Sequence, residues 1–154
     1  DITSIGQTFP PVAVLALAVP SLGFGFRPAL FALLLYGLMP VLQNTVTGLR
    51  TIDPEILDAA LGIGMRPAQS LFKVELPLAL PVIMGGVRTS AVISVGTATI
   101  GATIGAGGLG APIISGLISQ NPALVLQGAL SAAMLAVLVD SLLGRLEEVL
   151  SKGR

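Results

Sequence analysis

"DAALGIGMRPAQSLFKVELP", residues Asp58–Pro77, places four charged side chains, two glycines and two prolines in twenty positions of a chain that is otherwise mostly hydrocarbon. The chain has 154 residues, of which 53% are hydrophobic and 10% charged, and its mean hydropathy is +0.93. Soluble domains carry about a quarter of their residues as charges, so this composition describes a membrane protein. Uncharged runs extend from Ile2 to Phe26, from Pro28 to Leu49 and from Thr89 to Val139. A spanning helix needs about 20 apolar residues. The runs therefore accommodate four crossings, and the charged stretch lies between the second and the third.

The expected spans are Pro11 to Phe24, Ala29 to Thr47, a third from Pro77 or Pro81 to Gly101, and a fourth from Pro122 to Leu143. The long uncharged run is then two helices and a connector. Stretches such as "AVLALAV" and "AMLAVLV" lack the alternation of a membrane β-barrel strand, so the fold class is all-α. Residues 1–154 form one transmembrane domain. Arg50, Arg66 and Lys73 lie in the charged stretch and Arg145, Lys152 and Arg154 in the tail, whereas the opposite side carries Arg27 alone. By the positive-inside rule the stretch and the tail are cytoplasmic. Four spans then put residue 1 inside as well, with no signal-peptide pattern ahead of it, and further sequence upstream is expected.

Two motifs invite misreading. "GAGGLG", Gly105 to Gly110, matches the dinucleotide fingerprint, but that site needs an acidic residue about 20 positions on. None occurs between Glu75 and Asp140. The glycines are read instead as a backbone turn at the outer membrane surface, where positive φ and close packing exclude side chains. The charged stretch resembles two short helices of a DNA-binding unit. From Arg50 to Glu75, however, it has three basic and four acidic residues, and phosphate binding calls for a basic excess. Nucleic acid is excluded as a partner on that ground.

Asp53 followed by Pro54 is a strong helix start, an Asx cap and then a proline whose missing N–H has no intrahelical partner to lose. Glu55 adds favourable charge in the first turn, and Gly62 and Gly64 stop the helix after about nine residues. Pro67 opens a second stub, "PAQSLFKVE", that Pro77 closes or kinks. Helices this short are marginal in water, so their apolar residues need either the chain's own helix ends or a partner to bury against.

Asp58, Ala59, Ala60, Gly64, Val74, Leu76 and Pro77 resemble the EAA motif of ABC importer permeases: an acid, two alanines, a glycine after three more positions, and a distal aliphatic-x-Leu-Pro. "GQTFPPVAVLALAVP", "ALLLYGLMPVLQNTVTGL", "KVELPLALPVIMGGVRTS" and "VGTATIGATIGAGGLG" are similar to the branch that imports osmoprotectants such as glycine betaine, choline, carnitine and proline betaine. The resemblance covers Ile5 to Arg145. It implies a type I, methionine-importer-like bundle whose loop, about residues 50–77, is a coupling helix docking on a separate ATPase. It also implies two ATPase copies, a second permease copy or a related permease, and an extracytoplasmic substrate-binding protein, all working at the bacterial cytoplasmic (inner) membrane in contact with lipid. The family's first helix is expected to precede residue 1. Asp58 replaces the usual Glu, Pro11 a common Ser, and Gln43 a common basic residue.

The chain contains no cysteine, no histidine and no GxxxxGK[ST] phosphate loop. Disulfides and thiol or imidazole catalysis are therefore excluded, and there is no cofactor or metal site. The chain is not an enzyme; ATP and Mg belong to the partner ATPase. Five Phe, one Tyr and no Trp give no tight aromatic cage for a quaternary ammonium, which leaves selectivity mainly to the binding protein. Candidates for a neutral polar path are Asn44, Thr45, Thr89, Ser94, Thr97 and Thr99, although hydroxyls in spans commonly bond their own backbone or a neighbouring helix. Arg88 is the one charge well inside a span and is a path candidate too, with a snorkelling or ion-paired guanidinium the favoured reading. Asp140 could face Arg88 or Arg145. Small residues from Gly85 to Gly101 imply close helix packing, within the chain or across a dimer. The alternatives are a same-fold permease for another solute such as methionine, and a passive channel or membrane scaffold.

Overall fold

Proline stands at the first position of four helices, where its fixed φ suits the helix and its absent N–H leaves no bond unmade. The computed structural model describes residues 10–152, and among them all regular structure is helical. The order is α1 (Pro11–Leu22), α2 (Phe26–Arg50), α3 (Pro54–Gly62), α4 (Pro67–Ser70), a π-helical turn (Leu71–Glu75), α5 (Leu76–Gly101), a 3-10 turn (Ala102–Ile104), α6 (Gly110–Ile118) and α7 (Pro122–Lys152).

Among the described residues three helices are long and apolar enough to cross a membrane: Phe26–Arg50, Pro67–Ile104 and Pro122–Val149. They correspond to the second, third and fourth expected spans. At the first expected span the structure has an apolar helix of 12 residues, about 18 Å long, short of the ~30 Å hydrocarbon core. Leu17, Leu35, Leu130, Met134 and Val137 are among many large apolar side chains left exposed, as a lipid-facing bundle requires.

The central pair is α2 against α5, antiparallel, and it is glycine that brings them together. A side chain at Gly48 would lie 3.1 Å from the Cβ atoms of Ala79 and Val82, and one at Gly37 3.1 Å from Ser90 Oγ. At Gly86 it would come within 2.7 Å of the Pro40 carbonyl, and at Gly101 within 3.2 Å of Ala29 Cβ. Small residues placed alternately on the two helices let the backbones approach, the usual device where lipid supplies no hydrophobic drive for helices to associate. At one end of this pair Leu15 of α1 packs with Ala29 and Ala32 of α2 and with Ile100, Ile104 and Ala106.

Two expectations need correction. The stub opened by Pro67 does not end at Pro77: α4 runs through the π-helical turn into α5 as one rod, Pro67–Ile104, of 38 residues, about 57 Å. Pro77 would clash with the carbonyl four residues back, and the turn before it widens by one residue, with the Leu76 N–H donating to the Leu71 carbonyl. The segment thought to be a connector contains α6, which folds back on α7 through a tight turn at Gln120 (φ 52°). The Asn121 side chain accepts the Ala123 N–H at 3.0 Å and caps α7. A Cβ at Gly116 or Gly128 would collide with Val125 or Ile113, so the two helices are in close contact. Residue 1, expected inside, lies outside the described residues.

Candidate functional site

The rod, about 57 Å long, exceeds the ~30 Å hydrocarbon core of a bilayer, and α3 lies outside the three long apolar helices. α3 is held locally at both ends. Asp53 Oδ1 accepts the Glu55 N–H at 2.9 Å. At the other end Gly64, at φ +82°, lets its N–H reach the Leu61 carbonyl at 2.9 Å, and the Met65 N–H reaches the Ala60 carbonyl at 3.1 Å. Gln69 Oε1 accepts the Arg66 N–H at 2.9 Å and starts α4.

Within this frame the two alanines differ. Ala60 is 5% exposed and fills the inner side of α3, whereas Asp58, Ala59 and Gly64 are exposed. Val74, Leu76 and Pro77 are half-buried at the junction with α5. There Ser70, itself buried, donates its hydroxyl to Glu75 Oε1 at 2.8 Å across the π-helical turn. Ile56, Leu61, Ile63 and Phe72 are exposed on the same projection. The result is an acid and a small residue at the surface of a short, firmly ended helix, bordered by apolar side chains left exposed among the described residues.

The polar residues of the spans are for the most part bonded within their own helices. Asn44 Nδ2 donates to the Pro40 carbonyl at 2.9 Å, Thr45 to Val41 at 2.7 Å, Thr89 to Gly85 at 3.0 Å and Thr99 to Val95 at 2.8 Å. Thr97 is buried. Ser94 and Thr99 come together on one hollow of about 420 Å³, otherwise apolar, with Phe26 as its aromatic side chain. Asn44, Thr45, Arg88, Thr89 and Thr97 are not on it.

Arg88 is ion-paired. Its Nε and Nη2 donate to the two oxygens of Asp140 at 3.1 and 2.9 Å, and its Nη1 donates to Glu147 Oε2 at 3.1 Å. Asp140 thus faces Arg88. Counted from Pro122, Asp140 sits about 27 Å along α7 and Glu147 about 37 Å, so the cluster lies in the half of α7 away from Pro122. Glu147 was not among the expected partners. Its spacing of seven from Asp140 puts both carboxylates on one helix face, and that was the available signal.

A family model described as "Binding-protein-dependent transport system inner membrane component" matches residues 2–152. Over 150 residues the chain is 44% identical to the choline transport system permease protein OpuBB of Bacillus subtilis, covering 97% of this chain and 69% of that one. Over 146 residues it is 43% identical to the carnitine transport permease protein OpuCB of Listeria monocytogenes, covering 95% and 67%. Over 149 residues it is 42% identical to the osmoprotectant import permease protein OsmW of Salmonella typhimurium, covering 94% and 69%. A solved inward-facing structure of the MetNI methionine ABC transporter superposes with a TM-score of 0.87 at 24% identity, covering 97% of this chain and 72% of that one. That likeness bears on the fold alone.

Proposed function

The chain belongs to the family of binding-protein-dependent transport system inner membrane components, and from that premise we propose that it carries quaternary-amine osmoprotectants through the membrane. It is a transport component of the inner membrane and not an enzyme. Partners that hydrolyse ATP and deliver solute are implied by that class. The reading of choline, carnitine or glycine betaine as cargo comes from relatives named for them at 41–44% identity. The observation that carries the mechanism is α3, a capped helix outside the three long apolar helices, on which Asp58 and Ala59 are exposed.

ATPase subunits dock on Asp58, Ala59 and the turn at Gly64, where the small side chain permits close approach. A short turn, residues 63–66, joins this surface to α4, and Val74, Leu76 and Pro77 lie where α4 runs through the π-helical turn into α5 without a break. Closure of the ATPases therefore moves a rod rather than a loose loop. Two permease copies, identical or related, enclose the path, and Ser94 and Thr99 border its passage; Asn44, Thr45, Thr89 and Thr97 shape the helices around it. A passage with neutral hydroxyls and apolar walls suits a bulky methylated cation that must not be held tightly.

The test is uptake of labelled choline, glycine betaine and carnitine, with methionine as the control solute. The complete transporter is expressed in cells lacking their own uptake systems for these solutes. ATP-dependent accumulation of a quaternary amine is expected. Accumulation of methionine instead, or equilibration without ATP, would overturn the proposal.

A further inference from the structure

We propose that Arg88 is a positioning residue of the transport cycle, whose guanidinium locks the inner half of α7 in register with α5 so that both move when the coupling surface is driven. The inference rests on the function proposed above.

α5 belongs to the rod that the turn at residues 63–66 joins to the driven surface, whereas α7 has no such connection to it. α6 packs on the first turns of α7, at Val125 and Gly128, and with only nine residues it does not reach the rest. Along the inner half, Met134, Val137, Leu138 and Leu142 are exposed, so the remaining support of α7 is its face toward α5. Apolar contact between smooth helices in lipid permits sliding and rotation, because the surrounding chains are as apolar as the contact itself. Something directional must set the register.

The Arg88 cluster has the geometry for that. Asp140 and Glu147 are separated by two turns, about 10.5 Å, and one guanidinium reaches both. It engages Asp140 through two nitrogens and Glu147 through the third. A bidentate fork fixes orientation as well as distance, and the second carboxylate fixes the axial position. Gly144 lies between them, where a Cβ would stand 3.2 Å from Arg88 Cζ and 3.3 and 3.4 Å from its terminal nitrogens. The guanidinium thus rests against bare α7 backbone. Hollows of about 390 and 430 Å³ flank it. A lysine has no such fork.

The experiment uses the complete transporter in proteoliposomes, with Arg88→Gln, Arg88→Lys, Asp140→Asn and Glu147→Gln. Solute moved per ATP hydrolysed is measured alongside KM for the solute and thermal stability of the complex. Arg88→Gln and Asp140→Asn are expected to lower solute moved per ATP about ten-fold, with KM unchanged and ATP hydrolysis retained. The double variant should be no worse than either single one, and Glu147→Gln should show a smaller loss. Arg88→Lys should not restore coupling.

A changed KM or solute preference at constant stoichiometry would make Arg88 a path residue and overturn the proposal. So would a fall in stability with stoichiometry intact, or additive losses in the double variant. Should Arg88→Gln fail to assemble, Glu147→Gln, which leaves the Asp140 fork in place, still decides. Failure of the underlying function would show differently, as absence of osmoprotectant uptake by the unsubstituted complex.

Discussion

Alanine at Gly86 and alanine at Gly85 are adjacent changes on one helix with opposite expected signs. Both gain about 1 kcal/mol of helix propensity. At Gly86 the new Cβ would stand 2.7 Å from both the Pro40 carbonyl oxygen and Asn44 Cβ, so α2 and α5 must part by roughly 0.7 Å to restore ordinary van der Waals contact. The pair cannot open there alone, because Gly37 and Gly48 hold it at 3.1 Å on either side. Overpacking of this kind costs about 1–3 kcal/mol, which leaves Gly86→Ala neutral to about 2 kcal/mol destabilised. At Gly85 nothing lies within 4 Å of the added atom, and only the propensity gain remains. The difference between the two variants isolates the steric cost, about 1–3 kcal/mol. Thermal unfolding of the purified chain in detergent reads it, at about 2–4 °C per kcal/mol for a chain of this size. Equal melting temperatures, or a lower one for Gly85→Ala, would refute the packing argument.

Ala59→Leu should leave the melting temperature within about 2 °C and abolish co-purification with the ATPase, whereas Ala60→Leu, at a buried position, should lower stability as well; both are read from pull-down and unfolding of the same preparations. Asp53→Ala removes the α3 cap and should destabilise that helix by about 1 kcal/mol, seen as faster amide exchange over Pro54–Gly62 with the spans unchanged. Gly110→Ala drives a Cβ into the Thr99 carbonyl and Ala102 and should cost more than Gly108→Ala, which has open space and only an unfavourable φ of +77° to bear; melting temperatures of the two compare them.

α3 was legible because its signals are chemical and local: Asp53 and Pro54 start it and Gly64 ends it. The fourth span likewise begins at Pro122, where it was expected. The rod from Pro67 through Pro77 was not legible, because a proline in sequence announces a break and only the structure shows the π-helical widening that absorbs it. α6 was hidden for another reason: at nine residues it is too short to read as a span, and it lies in a glycine-containing uncharged run with no charge to mark its ends. "GAGGLG" was correctly read as a turn: Gly105, Gly107 and Gly108 have positive φ, and Gly110 allows a close approach. In the candidate site, spacing singled out Asp58, Ala59 and Ala60 alike, but the burial that separates Ala60 from Ala59 depends on how α3 lies against the chain. Arg88 was visible as an anomaly; its double partnership needed the register of α5 on α7.

The most direct measurement replaces residues 53–66 by a glycine-serine segment of equal length and follows ATP-driven osmoprotectant accumulation by the reconstituted complex. Loss of accumulation, with the spans still folded, is the expected result. Accumulation at the unsubstituted rate would contradict the role given to the projecting helix.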